Sequence, residues 1–154
     1  MTARPEPLVV VTGDDYEPTD FAARLDTADA GAVVTFTGVC RSEDGRLRAL
    51  ELEHYPGMAE RMLDRMARRS IEAHELLGLA VLHRHGEVPV GRPIVTVVAA
   101  ARHRRAAFDG AAQLMDYLKT DAPFWKKEHA SDGTPGEWVA AADRDDEARR
   151  RWEP

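Results

Sequence analysis

A chain of 154 residues, 44% of them hydrophobic and 31% charged, carries material for one core of ordinary domain size. That excludes a wholly disordered chain and leaves little room for a second core. The formal net charge of −6 argues against a general nucleic-acid binder, which gathers cations in excess.

In chain order, Leu8 to Val11 is a β-branched run that stops at Thr-Gly-Asp-Asp, as a strand entering a turn does. Thr19 or Asp20 is placed to cap a short helix whose apolar face is Phe21, Ala22 and Leu25. Ala32 to Val39 reads as a buried strand, and Ser42 to Gly45 as the loop after it. Leu50, Leu52 and His54 alternate with Glu51, Glu53 and Tyr55, a second strand of the same hairpin-like unit that Pro56-Gly57 ends. From Met58, the positions Met62, Leu63, Met66, Ala67, Ser70, Ile71, His74 and Leu77 keep the spacing of one helical face, with Gly78 as the stop. Leu79–His83 and Ile94–Ala101 read as two strands joined by a bent connection through Gly86, Pro89, Gly91 and Pro93. A second long helix starts near Arg104, with Phe108, Ala111, Ala112, Met115 and Leu118 on one face, and Pro123 stops it. Residues 131–136 form a turn-rich loop, and Trp138–Ala141 reads as a last strand. These elements predict an α+β fold with a largely antiparallel sheet, a single domain over 1–141 and a charged tail over 142–154.

The longest apolar stretch, Ile94 to Ala101, is broken by Thr96. It is far shorter than the roughly 20 residues a membrane-spanning helix needs, so no membrane crossing is expected. The N-terminal segment lacks the apolar core of a secretory signal, which predicts a cytoplasmic protein. The single cysteine, Cys40, cannot close an intramolecular disulfide or supply a multi-cysteine metal site.

Charge is unevenly spread. Residues 1–31 hold two arginines against seven acids, and residues 32–101 balance nine against nine. Residues 102–127 hold six cations against three acids, and residues 128–154 hold four against eight. A cationic island in an acidic chain points to a small anionic ligand or a carboxylate-bearing partner.

Within the island, Arg102-His103-Arg104-Arg105 falls where a helix begins and the helix field is already positive. The side chains either splay into solvent or join the unpaired N–H groups in a phosphate or carboxylate site, and the electrostatic misfit of cations at this helix end favours the anion site. Lys119, near the end of the same helix, is adequately explained by the helix field alone. Lys126 and Lys127 follow Ala-Pro-Phe-Trp, a stiff apolar mount. If Lys119 and Lys126 converge with the arginines, repulsion lowers their pKa values and makes a neutral amine accessible for proton transfer or attack on a carbonyl. His83, His85 and Glu87 are spaced as ligands on one strand face, but Gly86 interrupts them and a polar strand end explains them as well. No metal and no cofactor are therefore expected. Cys40 beside Arg41 is either an activated thiolate or a small buried apolar group. The phosphate-loop, dinucleotide and nucleophile-elbow motifs are missing from the sequence.

Several ordered motifs then combine: Gly31-Ala-Val-Val-Thr-Phe-Thr-Gly38 leading to Arg41, Leu52-Glu-His-Tyr-Pro-Gly-Met58, and His83-Arg84 with Gly86-Glu87. They are followed by His103-Arg104 with Ala107-Phe108, Met115-Asp-Tyr-Leu-Lys-Thr120 and Ala122-Pro-Phe-Trp-Lys-Lys-Glu128. Over residues 8–141 this set resembles the large, catalytic subunits of molybdopterin synthase. The resemblance implies an α/β hammerhead fold and a homodimer within a heterotetramer, each end carrying a small ubiquitin-like sulfur carrier. It implies that the carrier's C-terminal Gly-Gly thiocarboxylate gives two sulfurs to cyclic pyranopterin monophosphate, making the molybdopterin dithiolene. Lys119 and Lys126 match the catalytic lysines. Arg41, His103 and Arg104 match the residues that hold phosphate and other anionic groups, and Val39, Cys40, Lys127 and Glu128 match segments around the substrate. The competing expectation is a non-catalytic module that binds a carrier tail or a phosphorylated metabolite through the same cations. RNA binding through the island and Trp125 is a weaker third, and the expectation is of no nucleic-acid partner.

Overall fold

The structure is a computed structural model that describes residues 4–121, 124–139 and 150–153, apart from the side chains of Pro135 and Glu137. The elements run β1 (Leu8–Thr12), α1 (Pro18–Ala22), β2 (Ala32–Val39), β3 (Leu47–His54), α2 (Met58–His74), β4 (Gly78–Arg84), β5 (Gly86–Pro89), β6 (Pro93–Ala101), α3 (Arg104–Asp121), β7 (Phe124–Ala130) and β8 (Pro135–Val139). They build two four-stranded sheets, in the orders β1-β4-β6-β2 and β5-β3-β7-β8. Every pairing is antiparallel except β1 with β4, so the α+β expectation of a mainly antiparallel sheet holds.

The first sheet is covered on both faces, and its sequence shows why. Along β4 and β6 nearly every residue is apolar, as a strand with two buried faces requires. Leu79, Val81, Val95, Val97, Ala99 and Ala101 point to α2 and α3, which supply Leu63, Ile71 and Leu114. Ala80, Leu82 and Val98 point the other way, to Phe21 of α1. Leu63, Ile71, Leu79 and Leu114 are each at most 1% exposed, and burying such a side chain contributes roughly 2 kcal/mol. A smaller cluster of Cys40, Leu52 and Val88, packed with Ile94 and Phe124, ties the second sheet to the end of the first.

Several sequence expectations are corrected. The β2 and β3 strands do not form one hairpin-like unit: they belong to different sheets, and β2 pairs with β6. Nor is β2 buried. It is an edge strand, with Val33, Phe36 and Val39 between 41% and 49% exposed. The α2 helix stops at His74, where Glu75 turns left-handed at φ 52°, and Gly78 opens β4 instead of capping the helix. On α3 Ala111 and Leu118 are buried as expected, but the rest of the buried stripe is Ala107, Gly110, Gln113, Leu114 and Tyr117 in place of Phe108, Ala112 and Met115, which leaves Phe108 60% exposed. Small residues win that stripe because the helix lies close: a Cβ on Gly110 would stand 2.8 Å from Leu76 Cδ1.

The connection between β4 and β6 contains a strand of its own, β5, and Phe124–Ala130 is a full strand, not merely a mount for the lysines. The last strand spans Pro135–Val139, so the loop and strand expected over 131–141 are shifted, and residues 140 and 141 lie outside those described. Residues 142–149 of the expected tail also lie outside them. The segment 150–153 is placed against α3, where Trp152 Nε1 donates to Asp116.

Candidate functional site

Where the two sheets meet, a cavity of about 150 Å³ is enclosed by β2, β4, β6, α3 and β7. Its apolar walls, about half of its surface, come from Val39, Ile94, Val95, Met115, Leu118 and Phe124. Its polar side chains come from Lys119 and Thr120 on α3, Lys126 on β7 and His83 on β4.

Each group is placed by a local feature. The register of β2 slips between Gly38 and Val39, a bulge that turns Val39 into the cavity mouth. Gly38 has to be small, because a Cβ there would stand 2.9 Å from Val95 Cγ1. Lys119 sits in the last turn of α3, where a cation suits the helix field, and its side chain is exposed at the rim. On β7, alternation puts Phe124 and Lys126 on the inner face. Trp125 and Lys127 take the outer face, where Trp125 meets Tyr55 edge-on at 5.1 Å and the Lys127 ammonium stands 5.9 Å from the Trp138 ring centroid.

The Phe124 ring lies flat on His83, with centroids 3.8 Å apart and planes 9° from parallel. His83 Nδ1 is 2.9 Å from the Arg84 carbonyl oxygen. Arg84 is itself held by Asp15 at 2.9 Å and by the carbonyl of Glu87. Burial holds the His83 imidazole down to about 3; the Arg84 carbonyl opposes that, and the charges of Lys126, Lys119 and His54 add to it. His83 is therefore neutral at ordinary pH.

The structure brings Lys119, Lys126 and Val39 together and leaves the other candidates elsewhere. Cys40 is 1% exposed, packed on Leu52 and Val88, and burial pushes its thiol up, which is the small-apolar reading and not the thiolate one. Arg41 is exposed and paired with Glu43 at 2.9 Å. Lys127 faces away from the cavity, and Glu128 makes a two-pronged pair with Arg46 at 3.2 and 3.1 Å. His103 and Arg104 are exposed at the start of α3. At 1.5 Å per residue they stand about 22 Å along the axis from Lys119. Within one protomer the arginine cluster and the lysines do not converge.

His83, His85 and Glu87 do not share one strand face, in line with the reading that Gly86 interrupts them. Gly86 takes φ 82° and starts a new strand, so His83 enters the cavity while His85 stacks on His54 at 4.1 Å. Among the described residues, Glu51, Glu87 and His129 do bring ligand atoms within 4.8 Å of one another on the far face of the second sheet. There His129 pairs with Glu51 and Arg48 with Glu87.

Sequence reasoning missed His83, Thr120 and Met115 as cavity residues. For His83 the sequence carried a partial signal, since it follows the apolar run Leu79–Leu82 in its strand and so reads as a buried polar group, though not as one that faces a cavity.

The matching family model is described as "MoaE protein" and covers residues 11–121. A curated molybdopterin synthase catalytic subunit from Brucella melitensis is 55% identical over 150 residues, 94% of this chain and 90% of that relative. One from Mesorhizobium japonicum is 52% identical over 154 residues, 99% and 97% of the two chains. Among solved structures, the molybdopterin biosynthesis MoaE protein from Burkholderia ambifaria superposes with a TM-score of 0.76 at 37% identity, covering 95% of this chain and 97% of that one.

Proposed function

This chain belongs to the MoaE protein family, and on that footing we propose that its two-lysine cavity is the sulfur-transfer site of a molybdopterin synthase. The donor is the C-terminal Gly-Gly thiocarboxylate of a small ubiquitin-like carrier subunit, and the acceptor is cyclic pyranopterin monophosphate. Two transfers make the dithiolene, and each leaves the carrier ending in a carboxylate. The observation that carries this reading is that Lys119 and Lys126, from different elements, line one cavity.

Both reactants are anions, and sulfur attack on carbon develops further negative charge. Fixed ammonium groups in a partly dry cavity stabilise that charge far better than water does, because they need not reorganise as it forms. The narrow walls of Val39, Ile94 and Met115 suit an extended Gly-Gly tail, which has no side chains to accommodate.

The phosphate end requires a second protomer. His103 and Arg104 offer exposed donors at a helix N-terminus, yet they lie too far along α3 to reach the same small anion as Lys119. A homodimer that brings one protomer's His103 and Arg104 to the other's cavity completes the site, and a carrier on each protomer makes a heterotetramer. The exposed Val33 and Phe36 on the β2 edge are surface of the kind such interfaces cover. Arg41, on the exposed loop after Val39, joins the anion-binding set in that assembly. The catalytic unit is the domain over residues 1–141. No described helix is long and apolar enough to cross a membrane, and a cytoplasmic setting suits a thiocarboxylate, whose sulfur survives best under reducing conditions.

The test is reconstitution: purified protein, thiocarboxylated carrier and precursor are mixed, and dithiolene is followed. Product formation supports the reading, whereas tight carrier binding without product returns the protein to a non-catalytic binding module. A mixture of His103→Ala/Arg104→Ala and Lys119→Ala protomers, each inactive alone, regains activity if sites are shared between protomers and stays inactive if they are not.

A further inference from the structure

His83 has a nitrogen with nothing to bond. Its Nδ1 faces the carbonyl oxygen of Arg84 at 2.9 Å; a carbonyl only accepts, so Nδ1 carries the hydrogen and Nε2 the lone pair. The side chain is 7% exposed, and among the described residues Nε2 has no hydrogen-bond partner. It is not sealed into the core either, since His83 lines the cavity with Lys119 and Lys126. An acceptor that faces the cavity without a protein donor is open to one; the Thr120 hydroxyl already donates to the Asp116 carbonyl, and the ammonium groups lining the cavity are those of Lys119 and Lys126.

We propose that His83 is a positioning residue whose Nε2 accepts a hydrogen from the Lys126 ammonium and holds that cation at the cavity wall, where the sulfur donor arrives. Lys126 is favoured over Lys119 by the fold. Phe124 and Lys126 share the inner face of β7, and the Phe124 ring is stacked on His83. The strand that covers the imidazole with Phe124 therefore also carries Lys126 on the same face, whereas Lys119 comes from α3.

Among the described residues, the charged and titratable groups that act on His83 besides Lys126 are Lys119 from α3 and His54 from β3, with His85 against His54. The residues opposite Lys126 on β3 and β8 are the apolar Leu52 and Val139. Since burial keeps the imidazole neutral, His83 remains an acceptor throughout the working range and does not take the lysine's proton. A hydrogen bond to the charged form of a group favours that form, so the contact favours the ammonium form of Lys126.

The consequence for catalysis rests on the sulfur-transfer reading, but the titration that tests the contact does not. Lysines labelled with carbon-13 at Cε are titrated by NMR in wild type, His83→Phe and His83→Gln, with Lys126 assigned from Lys126→Arg. Phenylalanine keeps the stack and deletes the acceptor, while glutamine restores a carbonyl acceptor. The expected result is a Lys126 midpoint lowered by about one pH unit in His83→Phe and within a few tenths of wild type in His83→Gln. The alkaline limb of kcat moves by the same amount, and KM for the precursor stays within about twofold. An unchanged midpoint in His83→Phe, or an equal fall in both variants, overturns the proposal. If His83→Phe does not fold, His83→Leu, which also lacks the acceptor, takes its place: a lowered midpoint sustains the contact, and an unchanged one ends it. A shifted midpoint in a protein that makes no dithiolene would reject the sulfur-transfer reading and leave the contact standing.

Discussion

His83 and Phe124 lie face to face, their ring centroids 3.8 Å apart, and this stack joins the end of one sheet to the strand that bears Lys126. It also makes stability depend on pH. His83 binds its proton only near pH 3 when folded and near 6.5 when unfolded. Between those values the unfolded chain takes up a proton that the folded chain refuses, so acidification destabilises the fold. The loss reaches about 2 kcal/mol by pH 5 relative to pH 7.5. Urea unfolding of wild type and His83→Phe at both pH values checks this: the variant loses that much less on acidification. Parallel losses would contradict the assignment.

Lys126 and Lys127 are adjacent in sequence and opposite in direction. Lys126→Ala therefore lowers kcat by about 10²–10³, the scale for removing one group that stabilises a developing anion. Lys127→Ala changes kcat by less than about threefold. Steady-state kinetics of the two variants, with melting temperatures as a folding control, separates them, and equal losses would mean that the inner and outer faces of β7 are wrongly assigned.

Cys40 neighbours the cavity residue Val39 but is turned into the cluster with Leu52 and Val88. On the sulfur-transfer reading it carries no sulfur, because the carrier brings it. Cys40→Ala is expected to retain activity within about twofold at a stability cost of roughly 1 kcal/mol, and the native thiol reacts with a disulfide reagent only as fast as the protein opens. Rapid labelling of the folded protein together with loss of activity in the variant would revive a thiol role.

Gly31 is pressed against the start of α3. Its N–H donates to the Ala101 carbonyl at 2.9 Å, and a Cβ at this position would collide with the carbonyl oxygen of Arg102. Gly31→Ala is expected to cost about 1–3 kcal/mol and to displace the helix N-terminus that presents His103 and Arg104. The melting temperature falls, and KM for the phosphate-bearing precursor rises more than kcat changes. A variant with wild-type stability would show that the backbone there yields without cost.

The long α2 helix was legible because its apolar residues repeat at helical spacing and face a core large enough to enforce it. The β6 strand was legible as an unbroken apolar run. The β2 strand misled for the same reason: apolar content says that a side chain prefers cover, not that its own chain supplies it. The β7 strand was obscure because Lys126, Lys127, Glu128 and His129 are poor strand formers, held in place only by pairing with β3, far away in sequence. Of the site, Lys119 and Lys126 could be read from charge and motif. The cavity role of His83 could not, since it depends on a ring from β7 closing over β4.

The most direct measurement is a single turnover by the Lys119→Ala/Lys126→Ala double variant with stoichiometric thiocarboxylated carrier, with carrier affinity measured alongside by calorimetry. The account predicts carrier binding within about tenfold of wild type and no detectable dithiolene on the wild-type timescale. Dithiolene forming at the wild-type rate without either ammonium group would contradict it.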